Sequence, residues 1–269
     1  MVPVKRLVSL LALGMVLAPL SMRGQAEFDS AAEQLVLEQL NEARQQAGLA
    51  PLKSNPELVE AARQHSLAMA QRHTLSHQLP DENNVQGRLQ TTGVHFSRSG
   101  ENVGFNDRAD LIHSAFMHSP PHRANLLTPG YNAVGIGIVH QGNNFWATED
   151  FATVVTSLSL DQAANRAAEA FTELRQRQKL TPLPRVDVPQ LRDTACTMAK
   201  TGDLNSQPLL RMPGVRYTLA YTNAQPEILP ADVTRIAAQP TLKRFAVGSC
   251  FVQNERAPGG MFWIAMIFY

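Results

Sequence analysis

Apolar residues in the first third of the chain recur with helical spacing. Val36, Leu40, Ala43 and Ala47 fall at i, i+4, i+7 and i+11, and Gly48 follows as a stop, so the pattern predicts a helix over residues 30–47. Asn55-Pro56-Glu57 reads as a second helix start: a capping side chain, a proline at the first helical position and an acid in the first turn. Leu58, Ala61, Ala62, His65 and Met69 share one face of that helix. His65 and His73 fall on the same face and are expected to be packed core histidines. Past Arg72 the periodicity stops. Residues 73–98 are polar, with Pro80, Gly87 and Gly93, and read as a long functional or mobile loop ending at Ser99-Gly100-Glu101-Asn102-Val103-Gly104. Residues 107–118 predict a third helix, with Asp107 and Asp110 as capping acids. Its buried face should carry Leu111, Ala115 and His118, thickened by Ile112 and Phe116. After Pro120-Pro121 come two strands, residues 134–139 and 145–151, joined by a turn at Gln141-Gly-Asn-Asn144.

The order helix, helix, strand, strand then recurs. Glu42-x-Arg44, Leu49-x-Pro51-Leu52, Pro56-x-Leu58, Ala62, Val134-Gly135 and Phe145-Trp146 are echoed by Glu173-x-Arg175, Leu180-x-Pro182-Leu183, Pro189-x-Leu191, Ala195, Val247-Gly248 and Phe262-Trp263. This order predicts a first domain over residues 27–158 and a degenerate second copy over residues 159–269, with the junction at 157–165. Chance similarity of two helix-then-strand patterns is the alternative. Matching Phe151 to Phe268 would put Met266 where Glu149 stands. All eight histidines lie between His65 and His140, so the second copy would be scaffold.

A net charge of +1 with 17% charged residues offers no concentrated basic face, which excludes nucleic acid as a partner class. Lys5 and Arg6 precede an apolar run from Leu7 to Leu20 and the small-residue stretch Gly24-Gln25-Ala26. That is the pattern of an export signal over residues 1–26, too short to span a bilayer. With no second apolar stretch long enough for a transmembrane helix, the mature chain is expected to be secreted or periplasmic. There the only cysteines, Cys196 and Cys250, would form one bridge, the alternative being two buried thiols.

The densest chemistry is His118-Ser-Pro-Pro-His122-Arg-Ala-Asn125. On one helix, His118 and His122 would share a face and could hold a metal, but Pro120-Pro121 separates them. His122 must therefore find its partner elsewhere. Gly135-x-Gly137 lies inside a strand with no helix after it and is not a nucleotide fingerprint.

Together, Leu40-Asn41-Glu-Ala-Arg44, Ser76-His77, Gly100-Glu101-Asn102, Ser119-Pro-Pro-His122-Arg-Ala-Asn125 and the Gly-Ile-Gly strand followed by Trp-Ala-Thr-Glu-Asp-Phe resemble the CAP superfamily (SCP domain; cysteine-rich secretory proteins, antigen-five allergens, pathogenesis-related proteins), in its bacterial secreted branch. The resemblance covers residues 31–152. It implies an α+β fold, a three-layer α-β-α sandwich whose central cleft is lined by two histidines and two glutamates. In some members the histidines hold a divalent metal such as zinc. His77 and His122 match the histidines and Glu101 the first glutamate; Ser119 stands where the second glutamate would be. Glu149, on the last strand, is expected to face the cleft or the solvent. Two imidazoles with solvent can bind a metal weakly, and a hydrogen-bonded polar cluster is the competing reading.

The leading expectation is a secreted protein whose cleft at His77, Glu101 and His122 binds a ligand or partner (a lipid, a peptide or a cell-wall component), with one divalent metal on His77 and His122. A metal-assisted, peptidase-like hydrolase with Glu101 as general base is the runner-up, and a structural envelope protein the third. A Ser-His-Glu hydrolase using Ser76 or Ser119 lacks a nucleophile elbow. Whether the chain is an enzyme stays open, since the family's fold does not select an activity.

Overall fold

A computed structural model describes residues 26–269, so the expected leader, but for Ala26, lies outside the described residues. Among them no helix is long and apolar enough to cross a membrane. The first half begins with β1 (Glu27–Phe28), α1 (Ser30–Gln46), β2 (Lys53–Ser54) and α2 (Pro56–Arg72). Both helix starts are capped by side chains, Asp29 accepting from Ala32 N–H and Asn55 from Leu58 N–H. Then come α3 (Val85–Thr91), β3 (Phe96–Asn106), α4 (Ile112–His118), α5 (Pro120–Leu126), β4 (Ala133–Gln141) and β5 (Asn144–Val154). The sheet runs β1-β4-β5-β3, with β2 also pairing β4, so β3 is an edge strand.

Helices cover both faces of this sheet. Val36 and Leu40 of α1 and Ile112 and Phe116 of α4 pack on Val134, Ile136, Ala147 and Phe151. On the other face α2 and α3 bring Leu58, Ala61 and Leu89 against Ala133 and Ala152. The approach of α2 explains the glycines in β4: a Cβ at Gly135 or Gly137 would overlap the α2 backbone at Leu58 or Ala62.

The second half comprises α6 (Leu160–Arg177), α7 (Gln190–Thr201), β6 (Tyr217–Asn223), α8 (Val233–Ala237), β7 (Phe245–Asn254) and β8 (Ala257–Phe268). Its sheet order is β6-β8-β7, matching β3-β5-β4 in the first. Gly248 of β7 lies against the Leu191 backbone of α7 as Gly135 does against α2. Arg44, fully buried, donates from Nε to Ala50 O (2.9 Å) and from one terminal nitrogen to Leu126 O (2.7 Å) and Thr128 O (3.1 Å). Arg175 makes the same three bonds to Thr181 O (3.1 Å), Ala237 O (2.7 Å) and Gln239 O (3.2 Å). Cys196 of α7 and Cys250 of β7 form a disulfide.

The strand register corrects one expectation. Gly135 pairs Asp150 and Gly248 pairs Ala265, so Phe151 corresponds to Met266 and Glu149 to Ile264. The difference of two residues is taken up in a bulge. Between the pairs Val252↔Met261 and Asn254↔Ala257, β7 advances by two residues and β8 by four. The extra length, at Pro258-Gly259-Gly260, leans on the first half. A Cβ on Gly259 would overlap Phe96 O, Gln253 donates to Val94 O (3.2 Å), and the His95 and Phe251 rings meet at 4.8 Å.

Other departures are local. The stretch expected to be a loop contains α3 and the start of β3, and Glu101 lies within that strand. His73 is not a core histidine: it caps α2 in the left-handed conformation (φ 49°) and is exposed. The third helix starts with a 3-10 turn at Ala109–Leu111, and neither Asp107 nor Asp110 caps it; Asp110 pairs with Arg108. It buries Ile112, His113 and Phe116, of which Ile112 and Phe116 share a core cluster with α1, whereas Leu111, Ala115 and His118 are exposed. Ser119 is extended between α4 and α5, so the Pro-Pro break does separate His118 from His122.

Candidate functional site

The site is assembled around β3, where adjacent residues point to opposite faces. Glu101 pairs with Asp150 and faces the α2 side; Asn102 pairs with Glu149 and faces α5.

On the α2 side, His65 is wholly buried and anchors the segment that follows α2. Its Nε2 donates to Ser76 O (2.9 Å) and its Nδ1 lies 2.9 Å from Glu82 Oε1. This holds His77, whose side chain is 61% exposed, so that its Nδ1 donates to Glu101 Oε1 at 2.8 Å. A carboxylate only accepts, so the proton of this bond sits on Nδ1 and Nε2 is the ring nitrogen not held by Glu101. The other oxygen of Glu101 accepts from Arg88, which also donates to His77 O (3.1 Å) and Asn83 O (3.0 Å). Arg88 thus fixes the histidine's backbone and its carboxylate partner together. Behind them Asp150 is fully buried with neither oxygen hydrogen-bonded among the described residues. Burial first, then the nearby Glu101, holds its carboxyl well above the usual carboxylate range.

On the other face, Asn102 donates to His122 O (3.2 Å) and to Glu149 Oε2 (3.0 Å), and accepts from Asn125 (2.9 Å). Asn125 also donates to Glu101 O (3.0 Å), which seats α5 against the edge of β3. Close packing requires Gly100 here, since a Cβ would strike the Tyr131 hydroxyl. The His122 ring meets Phe116 edge-on at 5.0 Å and is partly buried. Desolvation, then the charge His77 can carry, pushes its pKa below the usual histidine value. His77 and His122 are thus carried by the segment after α2 and by α5, both of them attached to β3 at Glu101 and Asn102.

Glu149 does not join them. It is fully buried beneath Asn102 on the α5 face of the sheet, where burial raises its carboxyl to about 8 against the opposing Asn102 bond. Ser119 begins α5 without making a side-chain cap. Asn102, Asn125 and Asp150 lie within the motifs read from the sequence but were given no role there, and Arg88 lies in none. The available signal for Arg88 was indirect: a buried glutamate needs a cation, and Arg88 is the one basic residue between Arg72 and Glu101 apart from the surface Arg98 and the histidines.

The donor set limits what metal could sit here. Among the described residues no three His, Cys, Asp or Glu side chains are grouped to hold an ion. With both Glu101 oxygens engaged, only His77 Nε2 and His122 remain, and they do not fit a resident three-ligand zinc centre. At the matching registers the second half carries Ala220, Ile264 and Ala265 in place of Glu101, Glu149 and Asp150.

The domain is an α+β sandwich in which His77 is bound to a clamped Glu101 and His122 stands on the neighbouring α5. Residues 37–156 match the family model described as the cysteine-rich secretory protein family, CAP. The uncharacterized protein YkwD of Bacillus subtilis (strain 168) is 31% identical over 115 residues, covering 42% of this chain and 45% of YkwD. An extracellular protein containing a SCP domain from Bacillus anthracis str. Ames is 25% identical, covering 46% of this chain and 41% of its own, with a TM-score of 0.43. A cysteine-rich secretory protein from Staphylococcus aureus subsp. aureus Mu50 is 27% identical, covering 50% and 41%, with a TM-score of 0.38. The chain spans less than half the length of each of these relatives.

Proposed function

We propose that this chain is an extracytoplasmic CAP-domain protein that binds a ligand at the edge of β3 through His77 and His122. One observation carries the reading: both oxygens of Glu101 are engaged, by His77 and by Arg88. A general base must reach the proton it abstracts, and this carboxylate is buried and aimed at its own histidine. Glu101 therefore orients His77 and leaves the two imidazoles as the groups that meet a ligand. The same arrangement speaks against the hydrolase reading. An extracytoplasmic location is supported by the bridged cysteines and by the B. anthracis relative, which is described as extracellular.

We also read residues 159–269 as a degenerate copy of the domain that serves structure. The matching sheet orders, the equivalent Arg44 and Arg175 bonds and the replacement of the carboxylates by apolar residues support this.

Histidine NMR tests the site. The His77 and His122 ring signals of the parent should move together when zinc or an imidazole-binding ligand is added. Zinc should be removed by mild chelation, as a two-histidine site requires. His77→Ala and His122→Ala should each abolish the response without unfolding the chain. A chelator-resistant stoichiometric metal, or peptide cleavage lost in Glu101→Gln while the histidine signals stay in place, would overturn the reading in favour of an enzyme.

A further inference from the structure

The β7–β8 bulge does more than touch the first half. It stands opposite α3 across a cleft of about 870 Å3 that lies beside the histidine site but does not include His77 or His122. That size is within the range of small-ligand clefts, about 300–1,000 Å3. One wall is α3 with the turn before it; the other is Glu255 and Pro258.

The chemistry of the α3 wall is unusual for a surface helix. Asn83, Gln86 and Gln90 fall at i, i+3 and i+7 and share the face turned to the cleft, while Arg88 and Leu89 are buried on the other side. Gln78, Asn84 and Thr91 extend this face. A solvated helix face ordinarily carries charges, and 17% of this chain is charged. Yet between Asn83 and Thr92 the only charged residue is the buried Arg88. Local structure engages only part of these groups: Asn84 Oδ1 caps α3 at Gly87 N–H, and Gln78 Nε2 donates to Glu82 O. The carboxamides of Asn83, Gln86 and Gln90 are left to face the cleft.

The cleft is also held open in a fixed geometry. Gln253 donates to both Val94 O and Pro258 O (3.2 and 2.9 Å), and Gly259 packs on the Phe96 carbonyl. The hairpin wall is thereby tied to the strand that follows α3, so the two walls cannot separate without breaking these contacts.

We propose that this cleft binds a neutral glycan chain. A carboxamide offers a donor and an acceptor side by side, and a sugar hydroxyl is both at once, so a row of amides matches a row of hydroxyls. An anionic polymer would call for lysines or arginines, and the one charged side chain on the walls is Glu255. A peptide strand would need pockets for alternate side chains, and Pro258 is the only apolar side chain lining the cleft. The proposal is independent of what His77 and His122 bind.

The test is an NMR titration of the full chain with cellotetraose, tetra-N-acetylchitotetraose and maltotetraose, and with tetra-alanine amide as the peptide control. At least one glycan should give saturable shifts confined to residues 78–91 and 254–258. Gln86→Ala combined with Gln90→Ala should weaken it about tenfold or more, the loss expected for two or three hydrogen bonds. Gln86→Glu with Gln90→Glu, which keeps side-chain length, should weaken it similarly. His77→Ala with His122→Ala should leave it unchanged, which separates this proposal from the reading of the histidine site. Saturable binding of none of the three glycans, shifts centred elsewhere, equal binding of the peptide, or indifference to both amide pairs would overturn it.

Discussion

Replacing Arg88 by leucine tests the architecture of the histidine site at its least visible member. The Arg88 and Glu101 side chains are 7% and 3% exposed, so the ion pair between them is shielded from water. Removing the cation leaves a buried carboxylate beside Asp150, whose own carboxyl already holds its proton more tightly than usual. Breaking a buried pair from one side costs about 3–5 kcal/mol. The carbonyls of His77 and Asn83 lose a donor as well, each worth about 1 kcal/mol. Arg88→Leu should therefore lower stability by about 4–6 kcal/mol, allowing for some relaxation. Glu101→Gln alone should cost less, because Arg88 keeps both carbonyl partners. In the double variant neither charge is left unpaired, so the losses should not add, with a coupling of about 2 kcal/mol or more. Urea unfolding at pH 7 measures all three, read from midpoints at constant slope. A loss below about 1 kcal/mol for Arg88→Leu, or additive losses in the cycle, would refute the clamp.

Three further outcomes follow from other parts of the molecule. The Glu149 carboxyl is raised from 4.5 to about 8, so across that window the folded protein holds a proton that the unfolded chain releases. Stability should then fall as pH rises from about 4.5 towards 8, by on the order of 3 kcal/mol at pH 7; Glu149→Gln should flatten that slope in urea titrations, and a parent whose midpoint does not move with pH contradicts the assignment. Cys196→Ser with Cys250→Ser opens a 54-residue separation and should lower stability by about 4 kcal/mol in the chain-entropy view, measured by thermal and urea unfolding. Gly259→Leu should lift the β8 bulge from Phe96, speed proteolysis between the halves at residues 155–159, and leave the His77–Glu101 bond detectable by NMR; proteolysis unchanged from the parent would show that this contact does not hold the halves together.

Where apolar periodicity and capping residues agreed, the sequence was a sufficient guide. Asn55 with Pro56 marks the start of α2, and the apolar spacing marks α1 to within a residue. The failures share one cause. β3 was not legible as a strand because Glu101 and Asn102 occupy its buried positions, where a strand ordinarily shows valine or isoleucine. α3 was hidden by Gly87 at its centre and by a surface of amides instead of an amphipathic stripe. His77, Glu101 and His122 could be named because motifs carry them with a role; Arg88 lies in no motif, and Asp150, though inside one, gains its role only after α3 and β5 have been placed against β3. Glu149 showed the converse: a motif residue whose strand parity turns it away from His77 and Glu101, to the face where Asn102 bonds it.

The bulge in β8 has a consequence for how this protein can change. Side chains alternate along a strand, so an insertion of one residue would reverse inside and outside for everything beyond it. The second hairpin carries two more residues on β8 than on β7 at this point, an even number, and Ile264, Ala265 and Met266 accordingly keep the same orientations as Glu149, Asp150 and Phe151. The tip of this hairpin can therefore lengthen or shorten in steps of two while the core stays as it is. Relatives that share the core would then differ in the reach of this tip, and so in the breadth of the gap between the two halves.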